Sequence, residues 1–160
     1  MQHSRIIITP EGHISCQGDT LMSGYIGEPE LTATVLRDNT VYMSDLGSID
    51  DKGRLHIGGR QDDVINVGGY KVAPTEVEDA ALLLPLVKDC ICISAPHPIT
   101  GNALKLLIVT ADGSQLNKRQ VALHLKQRLE IYKVPMLYEQ VDHIERTYNG
   151  KLNRKFYRSL

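Results

Sequence analysis

The spacing of hydrophobic positions changes along this chain near residue 72. Before that point apolar residues come in short runs cut by turn residues: IIIT ahead of Pro10, HISCQ after Glu11-Gly12, LMSGYIG after Gly18-Asp19, VYMSDLGSI after Asn39, and RLHIGG after Asp50-Asp51-Lys52-Gly53. Runs of this length between turn signals predict small antiparallel strands, and the Asp-Asp-Lys-Gly tetrad predicts a hairpin turn. PELTATVL, opening on Pro29, instead predicts a brief helix. None of these pieces has a helical core of its own, so the front third reads as the β-rich end of a larger domain.

After Val72 the period lengthens. Val77, Ala80, Ala81 and Leu84 recur at helical spacing on one face, Pro74 opens the helix, Pro85 stops it, and Thr75-x-x-Glu78 predicts a capping box. VKDCICISA and LKLLIVTA predict two strands joined by a loop over 95–102, the second strand too apolar to be an exposed edge. Residues 117–130 predict a second helix with Val121, Ala122, Leu125 and Leu129 inward. Lys133-Val134-Pro135 breaks it, and LYEQVDHI predicts a third strand. Helix, strand, strand, helix, strand specifies an α+β fold, its helices packed on a three-stranded sheet. The two textures meet near residues 60–63, where a hinge would be placed. The expected organisation is therefore 1–60 as the end of a large domain, 61–63 as hinge and 64–160 as a small mobile domain.

Composition narrows the partners more than the fold. The 160 residues carry 18 basic and 19 acidic side chains for a net charge of -1. Nothing here provides the positive field that nucleic acid requires, and no basic run suggests a membrane surface. No apolar run approaches membrane-spanning length, and the Met1 end lacks a secretory pattern, so a cytoplasmic protein without stable membrane insertion is expected. Cys16, Cys90 and Cys92 are an odd number. Strand geometry puts Cys90 and Cys92 on one face of an apolar run, and no further ligand at suitable spacing suggests a metal site.

The densest stretch is 58–78, GGRQDDVINVGGYKVAPTEVE. Taken alone, Arg60 is a solvated arginine, Gly68 and Gly69 a turn that also lets a backbone approach a ligand, and Asp45 in YMSDLG a turn aspartate. Together these residues resemble the hinge region of the acyl-adenylate-forming ligases, the superfamily of acyl- and aryl-CoA synthetases and peptide-synthetase adenylation domains. Asp45-Leu46-Gly47 and the preceding GDTLMSGYIGEPELTATVL continue the resemblance, with Met43 and Ser44 replacing the family's usual threonine and glycine. Near the end, YNGKLNR is similar to the family's Gly-Lys motif.

The resemblance implies a role for each matching residue. Asp45 and Arg60 would hold the ribose of ATP, and Asp62 would be the pivot about which the small domain turns. Gly68, Gly69, Tyr70 and Lys71 would line the channel for the phosphopantetheine arm of coenzyme A. Lys151 would enter the active site during adenylation, stabilising charge on the α-phosphate. The family's phosphate loop and magnesium-holding acidic motif are absent from these residues, as is the acyl pocket. The expected protein is thus the C-terminal fragment of an acid–thiol ligase, inactive alone, whose parent uses a carboxylic acid, ATP with Mg2+, and coenzyme A. KVAPTEVE favours the CoA ligases. The alternatives are an adenylation domain that loads a phosphopantetheinyl carrier protein, and a non-catalytic protein-binding module.

Overall fold

The computed structural model of the chain describes residues 3–158 and divides into two compact units, Met1–Asp62 and Asp63–Leu160. Residues 1, 2, 159 and 160, the outermost positions of the two expected regions, lie outside the described residues.

In the first unit the apolar runs pair as an antiparallel sheet. β1 (Ser4–Ile8) lies beside β2 (His13–Gly18), and β2 beside β4 (Thr40–Ile49), which also pairs with β3 (Leu36–Arg37) and β5 (Leu55–Arg60). Asp38 and Asn39 take φ of 48° and 54°, the positive values that the tight turn between β3 and β4 requires. The Asp50 carboxylate closes the β4–β5 turn by accepting from the Lys52 and Arg54 amides at 3.0 and 2.9 Å. These bonds, the Arg54 amide foremost, hold the Asp50 carboxyl well below the usual carboxylate range. α1 (Pro29–Val35) is the brief helix its proline predicts.

LMSGYIG departs from expectation, because residues 21–27 form an irregular segment rather than a strand. Gly24 and Gly27 carry positive φ, and the polar backbone turns toward α1: the Tyr25 amide donates to Thr32 Oγ1 at 2.9 Å, and its carbonyl accepts from the Glu28 amide.

The second unit contains the three-stranded sheet. β8 (Val87–His97) and β10 (Leu137–Gln140) flank β9 (Gly101–Thr110), antiparallel and parallel to it respectively. Alternation along the strands sorts the side chains. Cys90, Cys92, Leu104, Leu106 and Ile108 face the main core with Val77, Ala80 and Ala81 of α2 (Pro74–Leu82) and Val121 and Leu125 of α3 (Lys118–Lys126). Ile91 and Leu107 face the other way, against Ile144, Leu152 and Tyr157. The sheet is therefore covered on both faces, the second by the C-terminal stretch ending in α4 (Arg154–Arg158), which local patterning does not announce.

Several element bounds differ from expectation for identifiable reasons. The residues expected as a loop over 95–102 are mostly strand, since β8 runs to His97 and β9 begins at Gly101, whose φ of 75° makes the reversal. α3 ends at Lys126 rather than Glu130; a 3-10 turn, Ile131–Lys133, follows and places Lys133 between Glu76 and Glu130 at 2.7 and 2.9 Å. β10 stops at Gln140 because Ile144 leaves the strand to pack on Ile91 and Leu107. A short hairpin of β6 (Ile65–Val67) and β7 (Tyr70–Val72) precedes α2.

The expected capping box is replaced by a long-range contact. Ala73 is the N-cap of α2, with no side-chain cap, and Glu78 points inward with a 5 % exposed side chain. Its two oxygens accept from Arg154 at 2.9 and 2.7 Å, and one also accepts from the Cys92 amide at 2.8 Å. A buried carboxylate needs this compensation more than a helix end needs a cap. Arg154 also pairs with Asp63 at 3.3 Å, as Arg158 does at 2.6 Å. Burial acts to lower the Arg154 pKa, but the Glu78 bonds and the two carboxylate charges outweigh it, so the guanidinium holds its proton more tightly than usual.

Replacing Arg154 by alanine leaves the Glu78 charge buried and unpaired, and is expected to cost about 3 to 5 kcal/mol. Urea unfolding followed by circular dichroism measures this; a cost near zero would show that Glu78 finds water instead. Burial pushes the Cys90 thiol up to about 12 and Cys92 well above its ordinary value. A thiol reagent at pH 8 should accordingly label Cys16 in the native protein and reach Cys90 and Cys92 only on unfolding.

Candidate functional site

Asp45 and Arg60 are brought together by strand register, directly opposite each other on β4 and β5. A bulge follows at Leu46/Gly47, and there only glycine fits: a Cβ on Gly47 would stand 2.6 Å from the His56 carbonyl. Asp45 is half-buried, and among the described residues its carboxylate has no hydrogen-bond partner. Arg60 lies 3.7 Å from Asp62, both largely exposed, a loose pair that water screens. The result is an acceptor and a donor side by side on paired strands. Asp62 sits in the 3-10 turn Gln61–Asp63, at the boundary of the two units.

Gly68 and Gly69 form the tip of the β6–β7 hairpin, with φ of 57° and 94°. A two-residue turn with both angles positive suits glycine at each position. The Gly69 amide donates to Asn66 Oδ1 at 2.9 Å, the Gly68 amide to the Thr100 carbonyl at 3.3 Å, and Asn102 Nδ2 to the Asn66 carbonyl, so the tip is fastened to the β8–β9 turn. Tyr70 stacks on Tyr132 with centroids 4.5 Å apart, and Lys71 extends into solvent. Beside the hairpin lies an apolar cleft of about 610 Å³ that includes Gly68, Tyr70, Leu104, Tyr132 and Tyr138. Burial pushes the Tyr138 phenol up to about 12, and its hydroxyl has no partner among the described residues.

Lys151 stands apart from these residues. It follows Gly150, whose φ is 81°, at a bend whose arms are joined by the Arg146–Leu152 bridge and the Thr147 amide bond to the Lys151 carbonyl at 2.8 Å. Leu152 anchors the bend to the second face of the sheet, whereas Ile65 and Val72 anchor the β6–β7 hairpin to the first. Lys151 is exposed and makes no ion pair among the described residues. Lys151 and the glycine pair therefore belong to opposite faces of one sheet.

Sequence reading gave Glu78 to a capping box and residue 63 to the hinge, and it missed the pairings that hold these groups in place: Glu78 and Asp63 with Arg154 at the core, and Asp89 with Arg146 at the Lys151 bend. The pairs span 76 residues for Arg154–Glu78 and 57 for Arg146–Asp89. The only available signal was a glutamate within the apolar face of α2. Among the described residues no group of His, Cys, Asp and Glu side chains is arranged to hold a metal ion, and no helix is long and apolar enough to cross a membrane.

Comparison with known proteins adds to this geometry. Residues 76–151 match the family described as the AMP-binding enzyme C-terminal domain. A feruloyl-CoA synthase from Amycolatopsis sp is 37% identical over 142 residues, covering 89% of this chain and 29% of that protein. A long-chain-fatty-acid–CoA ligase from Bacillus subtilis (strain 168) is 33% identical over 90% of this chain and 26% of its own length. Among solved structures, the amide bond synthetase McbA from Marinactinospora thermotolerans superimposes with a TM-score of 0.89 at 28% identity, over 98% of this chain and 34% of that one. ATP-bound MatB from Rhodopseudomonas palustris gives 0.85 at 29% identity, over 98% and 34%. The chain spans less than a third of the length of those curated relatives.

Proposed function

The chain belongs to the acyl-adenylate-forming, AMP-binding enzymes, and we propose that it works as the rotating C-terminal part of an acid–thiol ligase similar to the acyl-CoA synthetases. In that reaction a carboxylate oxygen displaces pyrophosphate from the α-phosphorus of ATP, and the thiol of coenzyme A then displaces AMP from the acyl carbon. Asp45 accepts from both ribose hydroxyls, for which a free carboxylate is suited, and Arg60 donates to the same sugar. Lys151 places its ammonium between the attacking carboxylate and the α-phosphate, where negative charge concentrates. Gly68 and Gly69 let the pantetheine arm pass close to the backbone, with Tyr70 and Lys71 beside it. Magnesium finds no ligand set among the described residues and would be held with the ATP phosphates outside this chain. Three cysteines without a disulfide fit a reducing, cytoplasmic setting.

The observation that carries this reading is the placement of Lys151 and the glycine pair on opposite faces of the β8–β10 sheet. One orientation of such a body cannot offer both to the same acyl group. Rotation about Asp62, at the boundary of the two units, would exchange them.

In the full-length enzyme Lys151→Ala should lower carboxylate-dependent pyrophosphate exchange by about two to three powers of ten. Thioester formation from supplied acyl adenylate and coenzyme A should persist. Equal loss of both would contradict the assignment, and transfer only to a phosphopantetheinyl carrier protein would change the acceptor.

A further inference from the structure

Lys151 is a flexible side chain on a Gly-preceded bend, yet the bend itself is gripped at one atom. Arg146 Nη1 donates to the Gly150 carbonyl at 3.0 Å, in the peptide that joins Gly150 to Lys151. Its other terminal nitrogen, Nη2, donates to both oxygens of Asp89, at 2.9 and 2.7 Å. Asp89 is presented by the shift in register at Val87/Asp89 that opens β8, and its Oδ1 also accepts from the Cys90 amide at 2.9 Å. The chain of contacts runs from the buried sheet through one carboxylate and one planar guanidinium to the carbonyl beside the lysine.

We infer that Arg146 and Asp89 form a clamp that positions Lys151 for the adenylation half-reaction; this rests on the role proposed for Lys151 above. Two features separate positioning from ordinary stabilisation. The pair is partly exposed, at 44% for Arg146 and 27% for Asp89, and such pairs add little to folding. The guanidinium also spends its second nitrogen on a main-chain carbonyl, which fixes the direction in which Lys151 leaves the bend. Lysine has a single nitrogen, so it cannot reproduce the fixed spacing with which two separate guanidinium nitrogens hold the Gly150 carbonyl and the Asp89 carboxylate. Displacing a catalytic group by about 1 Å can cost about a hundred-fold in rate.

The test uses Arg146→Ala, Arg146→Lys and Asp89→Asn in the full-length enzyme, assayed in both half-reactions. Arg146→Ala should slow pyrophosphate exchange about a hundred-fold through kcat, with thioester formation from supplied acyl adenylate unchanged. Arg146→Lys should rescue only part of the loss. Combining Arg146→Ala with Lys151→Ala should cost no more than Lys151→Ala alone, since the clamp acts only through the lysine. If Arg146→Ala does not fold, the isosteric Asp89→Asn should show the same split between half-reactions, about ten-fold in size. In the present chain, Arg146→Ala should also quicken amide hydrogen exchange at Thr147 without changing β9. Losses equal in both half-reactions, or additive in the double variant, overturn the clamp while leaving the role of Lys151 standing. Intact pyrophosphate exchange in Lys151→Ala overturns that role and the clamp together.

Discussion

The buried carboxylate of Glu78 is the constraint on which the second unit is arranged. Taking that charge out of water is costly, and the structure offsets the cost with the Arg154 guanidinium and the Cys92 amide. One residue of α2 thereby holds the edge strand β8 and draws α4 back onto the domain. Through Arg154 the same contact reaches Asp63, the first residue of the unit. A hydrophobic pair of the same volume could match its stability, but would not impose direction on the chain that returns from the Lys151 bend.

Much of the architecture was readable because local physics decides it. Helical spacing in Val77, Ala80 and Ala81, and alternation in Cys90, Ile91 and Cys92, located α2 and β8 and assigned their faces. Asn117 capping α3 through the Gln120 amide is equally local, as is the positive φ of Gly150 at the bend before Lys151. What could not be read depends on partners far along the chain. Glu78 satisfies the spacing of a capping box, yet burial turns it toward an arginine 76 residues away. LMSGYIG has the composition of a strand, but its two glycines and Thr32 give its backbone other partners. The site divides in the same way: Asp45, Arg60, Gly68 and Lys151 lie in recognisable motifs, whereas Arg146 and Asp89 acquire meaning only from their separation in space.

These contacts give the second unit a particular mechanical character. One sheet carries the glycine hairpin on one face and the lysine bend on the other, each fastened by polar contacts to a strand: the hairpin through Thr100 and Asn102, and the bend through Asp89. If the unit turns as proposed, rotation of the whole body would exchange the two without either having to be rebuilt. Under the proposed function Asp62 would suit the pivot, because it is exposed and short and could change its backbone angles without disturbing a core.

The most direct test of this account is a distance measurement between two spin labels in the full-length enzyme, one replacing Asp51 in the first unit and one replacing Lys118 in the second. Rotation about Asp62 predicts one distance distribution with ATP and the acid bound, a clearly different one with acyl adenylate and coenzyme A, and loss of that change in Asp62→Pro. A single distribution that is the same in both states would contradict it.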